Sequence, residues 1–251
     1  MHKILANTMF LGKDLFYLPE CHSTNDVARE KLKEKKAGEG SIIITDRQTN
    51  GRGQRGNQWH SEAGLNLTFS FILKPKFLNP AEQFGLNIAV SLGIREAISG
   101  YISGVMIKWP NDIVHEGGGK LGGILIENSL RGQNIENSIV GIGLNINQLK
   151  FPVPGASSIA LLAGASVDKE AVLQAVIAKI EYFYLMLKSK GEKSLYDAYK
   201  SHLYRLGQLG QFHDGEDFIG TITGISDQGK LMIQKEDKEL YEYAFKEVRF
   251  V

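Results

Sequence analysis

The segment of this sequence with the clearest capacity for chemistry is the glycine loop, which runs from Gly51 to Trp59 and reads Gly-Arg-Gly-Gln-Arg-Gly-Asn-Gln-Trp. Backbone amides and guanidinium groups in such a loop suit phosphate and carboxylate oxygens, and the tryptophan can stack on a base. The glycine spacing also matches the dinucleotide-binding pattern, but that pattern requires a helix that begins at the glycines. Here a polar loop leads into an alternating strand, and no Lys-Ser or Lys-Thr follows as in a Walker A loop. The loop therefore indicates anion binding, with a surface hairpin as the alternative.

Two further segments put polar side chains at the ends of predicted strands. The segment Lys108-Trp109-Pro110-Asn111-Asp112 ends a strand at a proline, where the amide can bind a nucleotide and the carboxylate a metal or an amine. An Asx-type turn that closes a hairpin is the alternative. Lys120 begins a buried strand directly after three glycines, where it can neutralise charge in phosphoryl or acyl transfer, or else extend along the rim into solvent.

Glycines inside two predicted strands indicate close approach of another group. Gly122-Gly123 lies in the middle of a strand, where glycine costs stability unless a backbone or a ligand comes near. In Gly141-Ile142-Gly143-Leu144-Asn145 the glycines alternate with aliphatic residues, so one face of the strand carries no side chains. That face can form the flat floor of a site for a planar ligand. A twisted strand that crosses a helix explains the same pattern.

These segments need a scaffold, and the hydrophobic spacing predicts one that mixes helices and strands. Helices are expected from an N-cap at Ser23 to near Gly38, after Asn79-Pro80, after a cap at Asp168, and over about 192–202. Strands are expected at 41–45, at 65–73 with one apolar and one polar face, and at 105–109, 113–115, 121–127 and 138–146. After residue 203, short strand-like runs separated by Asp-Gly and similar turns predict a small all-β barrel.

Composition excludes several classes of protein. The 251 residues carry a formal net charge of +1, so no global field favours nucleic acid or a membrane surface. The single cysteine, Cys21, allows no intramolecular disulfide and no cysteine-built zinc site, which suits a reducing cytoplasm. The histidines show no ligand or triad spacing, and no uncharged stretch predicts a membrane span. Residues 204–251 carry six basic and nine acidic residues, and we expect a domain boundary near residue 203.

Taken together, these segments resemble the biotin protein ligases (biotin–[acetyl-CoA-carboxylase] ligases). The resemblance rests on motifs that occur in the family's order and spacing: Ser23-Thr24-Asn25, Gly51-Arg52-Gly53, Trp59, Lys108–Asp112, Lys120–Leu125 and Gly141–Asn145. It implies an α+β fold in which helices pack on a mixed sheet, as in class II synthetases, over residues 1–203. It also implies an SH3-like C-terminal domain over residues 204–251. The expected form is the short one, without an N-terminal DNA-binding domain.

The resemblance also implies roles for individual residues. In the family, matching positions bind biotin, and here these are Ser23, Thr24, Asn25, Gln48, Gly51, Arg52, Gly53, Gln54, Lys120, Gly123 and Gly143. Positions on the ATP side are Arg55, Trp59, Asn111, Lys120 and Asn145. The implied catalytic residues are Arg52 and Lys120, with Asp112 as the group that orients or deprotonates the acceptor lysine. Two arginines that the resemblance implies for this loop are replaced here by Gln54 and Asn57. We therefore expect weaker retention of the adenylate.

The implied reaction is activation of biotin by ATP to biotinyl-5'-AMP, followed by transfer of biotin to a lysine. The implied ligands are ATP, biotin and Mg²⁺, with no metal ligand assigned, and the implied partner is a biotin carboxyl carrier protein. We expect a cytoplasmic monomer or homodimer that binds neither specific DNA nor membranes. A lipoate–protein ligase is the nearest alternative, but its Arg-Arg…Gly-Gly-Gly pattern and His-Asp pair are not found in the right places. A non-catalytic biotin or nucleotide sensor is the other alternative, and it would need an output domain.

Overall fold

The computed structural model describes residues 7–251, apart from the side chain of Arg55. The α-helices are α1 (Thr24–Lys33), α2 (Phe84–Ile98), α3 (Ile159–Ala163), α4 (Lys169–Lys190) and α5 (Lys193–Ser201). The strands are β1 (Leu15–Cys21), β2 (Ile42–Gln48), β3 (Leu67–Leu73), β4 (Val105–Lys108), β5 (Asp112–His115), β6 (Lys120–Arg131), β7 (Asn134–Leu144), β8 (Leu209–His213), β9 (Asp217–Ile225), β10 (Leu231–Lys235), β11 (Leu240–Tyr243) and β12 (Arg249–Phe250).

The first seven strands form one mixed sheet in the order β1-β2-β3-β7-β6-β5-β4. Strand β1 pairs parallel with β2, and the other neighbours pair antiparallel. Tight turns join β4 to β5, β5 to β6 and β6 to β7, so three consecutive hairpins bring the predicted polar segments to one region. The α+β fold expected from the sequence is confirmed.

Both faces of the sheet are covered by helices. Helix α1 packs on one face around a small cluster of Val27, Ala28, Ile43, Ile72 and Ile139. Helices α2 and α4 cover the other face and share with it the main hydrophobic core. Strand β3 is consequently buried along its whole length, on its polar face as well as on its apolar face. The Ser70 hydroxyl on its polar face lies within hydrogen-bond distance of Thr24 and Asn25 of α1.

Three local predictions also need correction. No strand is predicted over residues 15–21, but β1 lies there at the edge of the sheet, a position that tolerates its Pro19. Helix α1 ends at Lys33, about a turn before Gly38, with Glu34 as its C-cap. The Asn79-Pro80 signal opens a single 3₁₀ turn, Pro80–Glu82, whose capping box is complete, and α2 begins only at Phe84.

The last five strands form a separate antiparallel sheet in the order β11-β10-β9-β8-β12, where the sequence predicted a small barrel. Trp109, in the β4–β5 turn, connects the two sheets, because its buried indole Nε1 donates to the carbonyl of Gly229 at 2.8 Å. Its ring also meets Phe245 edge-on. The boundary near residue 203 lies between α5 and β8, and the division into two domains there stays a prediction. Within residues 7–251, no helix is both long and apolar enough to span a bilayer.

Candidate active site

A cleft with a volume of about 580 Å³ opens between the start of α1, the glycine loop and the hairpins of β4 to β7. Most of the side chains and glycines that the sequence singles out meet in its wall. These are Ser23, Thr24, Asn25, Gln48, Arg52, Gly53, Gln54, Trp59, Asn111, Asp112, Lys120, Gly123 and Gly143. Segments that lie more than 100 residues apart in the chain thus share one site.

A buried hydrogen-bond network fixes the polar end of the cleft at the start of α1. Gln48 Oε1, at the end of β2, accepts from the backbone amide of Thr24 at 2.8 Å and from its hydroxyl at 3.1 Å. Ser70 Oγ, which is fully buried on β3, lies 2.6 Å from both Thr24 Oγ1 and Asn25 Oδ1. Ser23 is the N-cap residue of α1, yet its side chain makes no capping hydrogen bond. Its hydroxyl is therefore not committed to the helix.

The glycines of β6 and β7 allow close packing across the floor of the cleft. A Cβ atom added to Gly143 would come within 2.2 Å of the Trp59 indole, and one added to Gly141 within 2.4 Å of Asn25 Oδ1. A Cβ on Gly122 would meet the neighbouring strand, 2.7 Å from the carbonyl oxygen of Gly143. Both explanations of the alternating glycines therefore apply. Gly141 allows helix α1 to cross the strand closely, and Gly143 forms part of the flat floor of the cleft. In this structure the Trp59 indole lies against Gly143.

The glycine loop forms a short hairpin. The Trp59 amide donates to the Gly51 carbonyl at 3.0 Å, and the Gly53 amide donates to the Asn57 carbonyl at 2.7 Å. A 3₁₀ turn, Gln54–Gly56, makes the tip, where Gly56 takes a φ of +87° that side chains other than glycine rarely adopt. Gly51 and Gly53 thus take part in the backbone bonds of the hairpin, and Gly56 forms its tip.

Three polar atoms of this loop are buried without a hydrogen-bond partner among the described residues: Arg52 Nε, Gln54 Oε1 and Trp59 Nε1. All three side chains line the cleft. A buried polar atom that lacks a partner costs free energy on the order of 1–3 kcal/mol. Their concentration in one wall indicates that a polar ligand completes the site.

Lys120, at the start of β6, places a positive charge in the cleft. Its Nζ lies 2.7 Å from Asp112 Oδ1, and 5.9 Å from the centre of the Trp59 indole. Two backbone bonds fix the strand here, because the Lys120 amide donates to Gly155 at 2.7 Å and its carbonyl accepts from Ser157 at 2.9 Å. The side chain thus points into the cleft and does not extend along the rim.

The β4–β5 turn supplies the third wall. Asn111 Nδ2 donates to the Ile124 carbonyl at 2.7 Å and the Ile124 amide donates back to the Asn111 carbonyl at 2.9 Å. The segment closes the β4–β5 hairpin, as the alternative explanation expected, but its Asn111 side chain bonds to β6 and forms no Asx-type turn through that bond. It lines the cleft as well. Burial lowers the pKa of Lys108, on the same wall, and the nearby Asp112 opposes this effect.

The C-terminal sheet completes this side of the cleft, which the sequence did not predict. Phe245, Lys246, Val248, Arg249 and Phe250 all line it. Lys108 Nζ lies over the Phe250 ring, 4.6 Å from its centre. No local motif predicts that these residues line the cleft, because their position there depends on the contact between the two sheets.

Three predicted site residues fall elsewhere. Gly51 lines an adjoining polar cleft of about 360 Å³, and a Cβ there would come within 2.4 Å of the Trp59 carbonyl oxygen. Asn145 is buried below the floor, where its Nδ2 donates to the Lys120 carbonyl at 3.1 Å. It therefore supports Lys120 from beneath. The side chain of Arg55 lies outside the described part of the chain.

The described residues contain no group of three metal-ligating side chains. The carboxylates at the cleft are already engaged, because Asp112 pairs with Lys120 and both Asp26 and Glu127 pair with arginines. These residues do not fit a protein-built magnesium site, and we assign Mg²⁺ no protein ligand.

Comparison with known proteins agrees with this geometry. Residues 17–145 match the model of the Biotin/lipoate A/B protein ligase family. The chain is 32% identical to the Bifunctional ligase/repressor BirA of Bacillus subtilis over 247 residues, which cover 93% of this chain and 74% of that protein. It is 30% identical to the Biotin–[acetyl-CoA-carboxylase] ligase of Paracoccus denitrificans, over 84% of this chain and 91% of that protein.

Among solved structures, the biotin protein ligase from Aquifex aeolicus in complex with biotin and ATP superposes with a TM-score of 0.79 at 30% identity. The match covers 95% of this chain and all of that one. The fold, the cleft and these matches define a class: the chain belongs to the biotin/lipoate A/B protein ligase family. Within that family its relatives are biotin protein ligases, so it is an enzyme of the biotin branch, and the lipoate and sensor alternatives are disfavoured.

Proposed function

We propose that this protein activates biotin with ATP to biotinyl-5'-AMP and transfers the biotinyl group to a lysine of a biotin carboxyl carrier protein. The observation that carries the proposal is the convergence of Arg52, Lys120 and the Thr24–Asn25–Gln48 network on one glycine-floored cleft. The names of the relatives support the carrier of a carboxylase as the acceptor.

In the first half-reaction, a biotin carboxylate oxygen attacks the α-phosphorus of ATP and pyrophosphate leaves. Attacking and attacked groups are both anionic, so catalysis depends on positioning and on neutralising charge. Arg52 and Lys120 both line the cleft and are the cations proposed for this role. Mg²⁺ binds readily through ATP phosphates with few protein ligands, and it stays part of the proposal in that form.

In the second half-reaction, the amine of the carrier lysine attacks the acyl carbon of the adenylate, the amide forms and AMP leaves. The attacking amine must be neutral, and free lysine has a pKa of about 10.4. Asp112 is the group we propose to orient or deprotonate it. Its Oδ1 forms an ion pair with Lys120. We therefore propose that the pair acts in both half-reactions, with Lys120 contacting the adenylate and Asp112 contacting the acceptor lysine.

The proposal is tested by transfer to an acceptor. We expect a purified carrier domain of an acetyl-CoA carboxylase to gain one biotinyl group, by intact mass, when biotin and Mg-ATP are both present. The control is the same carrier with its acceptor lysine changed to arginine. An unmodified wild-type carrier, in conditions where a known ligase modifies it, would contradict the proposal.

The glycine loop is expected to become more protected when ligand binds. The three buried polar atoms without partners in this loop would gain partners from biotin or its adenylate, which stabilises the closed hairpin. Amide exchange over residues 49–58 measures this directly, with the exposed β6–β7 turn at 131–133 as the internal control. Equal exchange in the loop with and without biotin and ATP would contradict the expectation.

Gly143→Ala is expected to displace the Trp59 indole and to raise the KM for biotin, by about 5- to 150-fold if the whole overpacking cost of roughly 1–3 kcal/mol falls on the bound state. The added methyl would overlap the Trp59 indole at the floor. Gly38→Ala is the control outside the cleft, because a Cβ added to Gly38 would meet nothing within 4 Å. Steady-state kinetics of both variants decide the matter, and equal effects would count against Gly143 as the floor.

The remaining expectations are proposals of the same kind. We propose a cytoplasmic protein, monomeric or homodimeric, that binds no specific DNA. The formal net charge of +1 supplies no general attraction to the phosphate backbone.

A further inference from the structure

Two carboxylates outside the predicted site hold the arginine of the glycine loop. Arg52 Nη2 donates to Asp26 Oδ1 at 2.6 Å and to Glu127 Oε2 at 3.2 Å. Arg29 binds the same two oxygens, at 2.7 Å and 3.0 Å. Each carboxylate therefore bridges two guanidinium groups, and the four charges balance. We call Asp26, Arg29, Arg52 and Glu127 the arginine clamp.

Glu127 also connects this clamp to the polar end of the cleft. Its Oε2 accepts from Asn25 Nδ2 at 2.7 Å, and Asn25 in turn contacts the buried Ser70. One carboxylate oxygen on β6 thus contacts both a residue of the proposed biotin pocket and the loop arginine. A group that changes the position of Asn25 necessarily changes the environment of Arg52.

The clamp leaves part of the Arg52 guanidinium for a ligand. Its Nη2 is taken by the two acids, whereas its Nε is buried without a partner among the described residues. Asp26 and Glu127 side chains are only about one-quarter exposed, at 24% and 27%, so water screens these contacts incompletely. Arginine in such a setting is held in one orientation before any ligand arrives.

We propose that Asp26 and Glu127 are positioning residues, which hold Arg52 over the cleft, and that Glu127 couples occupancy of the biotin pocket to the position of the glycine loop. The inference rests on the proposed function, because it assigns how Arg52 is presented to the carboxylate and the α-phosphate. Neither acid needs to touch the substrate for this role. Arg52 then meets the developing charge without first reorganising, which is how preorganised cations accelerate such steps.

A double-mutant cycle between Glu127 and Arg52 tests the proposal. Glu127→Gln removes the charge but retains an oxygen that can accept from Asn25. We expect it to slow single-turnover formation of biotinyl-adenylate by at least about tenfold, in line with the loss of a charged hydrogen bond. In the Arg52→Ala background the same change should alter the rate by less than about twofold, because the residue acts through Arg52. Ligand-induced protection of residues 49–58 should weaken in Glu127→Gln even at saturating biotin.

Glu136→Gln is the matched control, since Glu136 pairs with Arg131 at 3.3 Å on the same β6–β7 hairpin, away from the cleft. It should leave rate and protection unchanged. If Glu127→Gln does not fold, Asp26→Asn on α1 is put through the same cycle. Effects that add independently in the two backgrounds would overturn the proposal. A wild-type protein that forms no biotinyl-adenylate would instead contradict the proposed function.

Discussion

Lys120→Ala is expected to lower the rate of biotinyl-adenylate formation by about 100- to 1000-fold, the usual cost of removing one preorganised group that stabilises developing charge. Lys120 lines the cleft, with its Nζ 2.7 Å from Asp112 Oδ1. Without it, the negative charge of Asp112 would remain at the place where phosphate and carboxylate oxygens must meet. The measurement is the single-turnover rate at saturating biotin and ATP.

The fold of this variant should stay intact, because Lys120 is 39% exposed and its strand is held by backbone bonds. Lys179→Ala is the matched control: Lys179 has a similar exposure and pairs with Glu96, between α4 and α2. That variant should retain the wild-type rate. A rate for Lys120→Ala within a few-fold of wild type, at unchanged Tm, would remove Lys120 from the catalytic assignment.

Gln54→Arg is expected to slow the release of biotinyl-adenylate by about 10- to 150-fold, since a charged hydrogen bond is worth roughly 1.5–3 kcal/mol. Gln54 lines the cleft at the tip of the glycine loop, and its Oε1 is buried without a partner within the described residues. The resemblance to the biotin protein ligases implies an arginine at this position in the family. Arginine would replace the unpaired acceptor with donors aimed at an anion.

The rate of adenylate synthesis should change little in this variant, because Arg52 and Lys120 are retained. Dissociation of preformed adenylate is measured for the wild type, for Gln54→Arg and for Gln211→Arg, which makes the same change on the exposed strand β8. Release from Gln54→Arg as fast as from the wild type would indicate either that another group already replaces the missing cation or that the loop does not control release.

Local signals in the sequence predicted much of the fold. The cap at Asp168, the glycine turns and the alternating strands each depend on residues close together in the chain, and the structure reproduces them. Strand β1 could not be predicted, because its pairing with β2 and its position at the edge of the sheet are properties of the assembled sheet. The edge position is also what allows Pro19 within the strand. The burial of the polar face of β3 could not be predicted, because the Ser70 hydroxyl finds its partners on α1, a distant segment of the chain.

The residues of the candidate site likewise fall into those that local motifs predict and those that only the folded chain brings together. Residues in compact motifs, such as Arg52, Asp112 and Lys120, could be selected from the sequence, and the structure brings them to one cleft. Ser70, Glu127 and the C-terminal residues around Phe250 could not, because each enters the site through a contact between distant segments. Asn145 does not line the cleft and instead bonds to the backbone of Lys120, so its place on the ATP side stays a prediction.

Biotin-dependent exchange of pyrophosphate into ATP tests the central claim most directly, because it isolates activation of the carboxylate from any carrier. With Mg²⁺ present, we expect exchange that requires biotin, that is absent when lipoate replaces biotin, and that is lost in Lys120→Ala. Exchange with lipoate equal to that with biotin, or no exchange with biotin at all, would contradict the account.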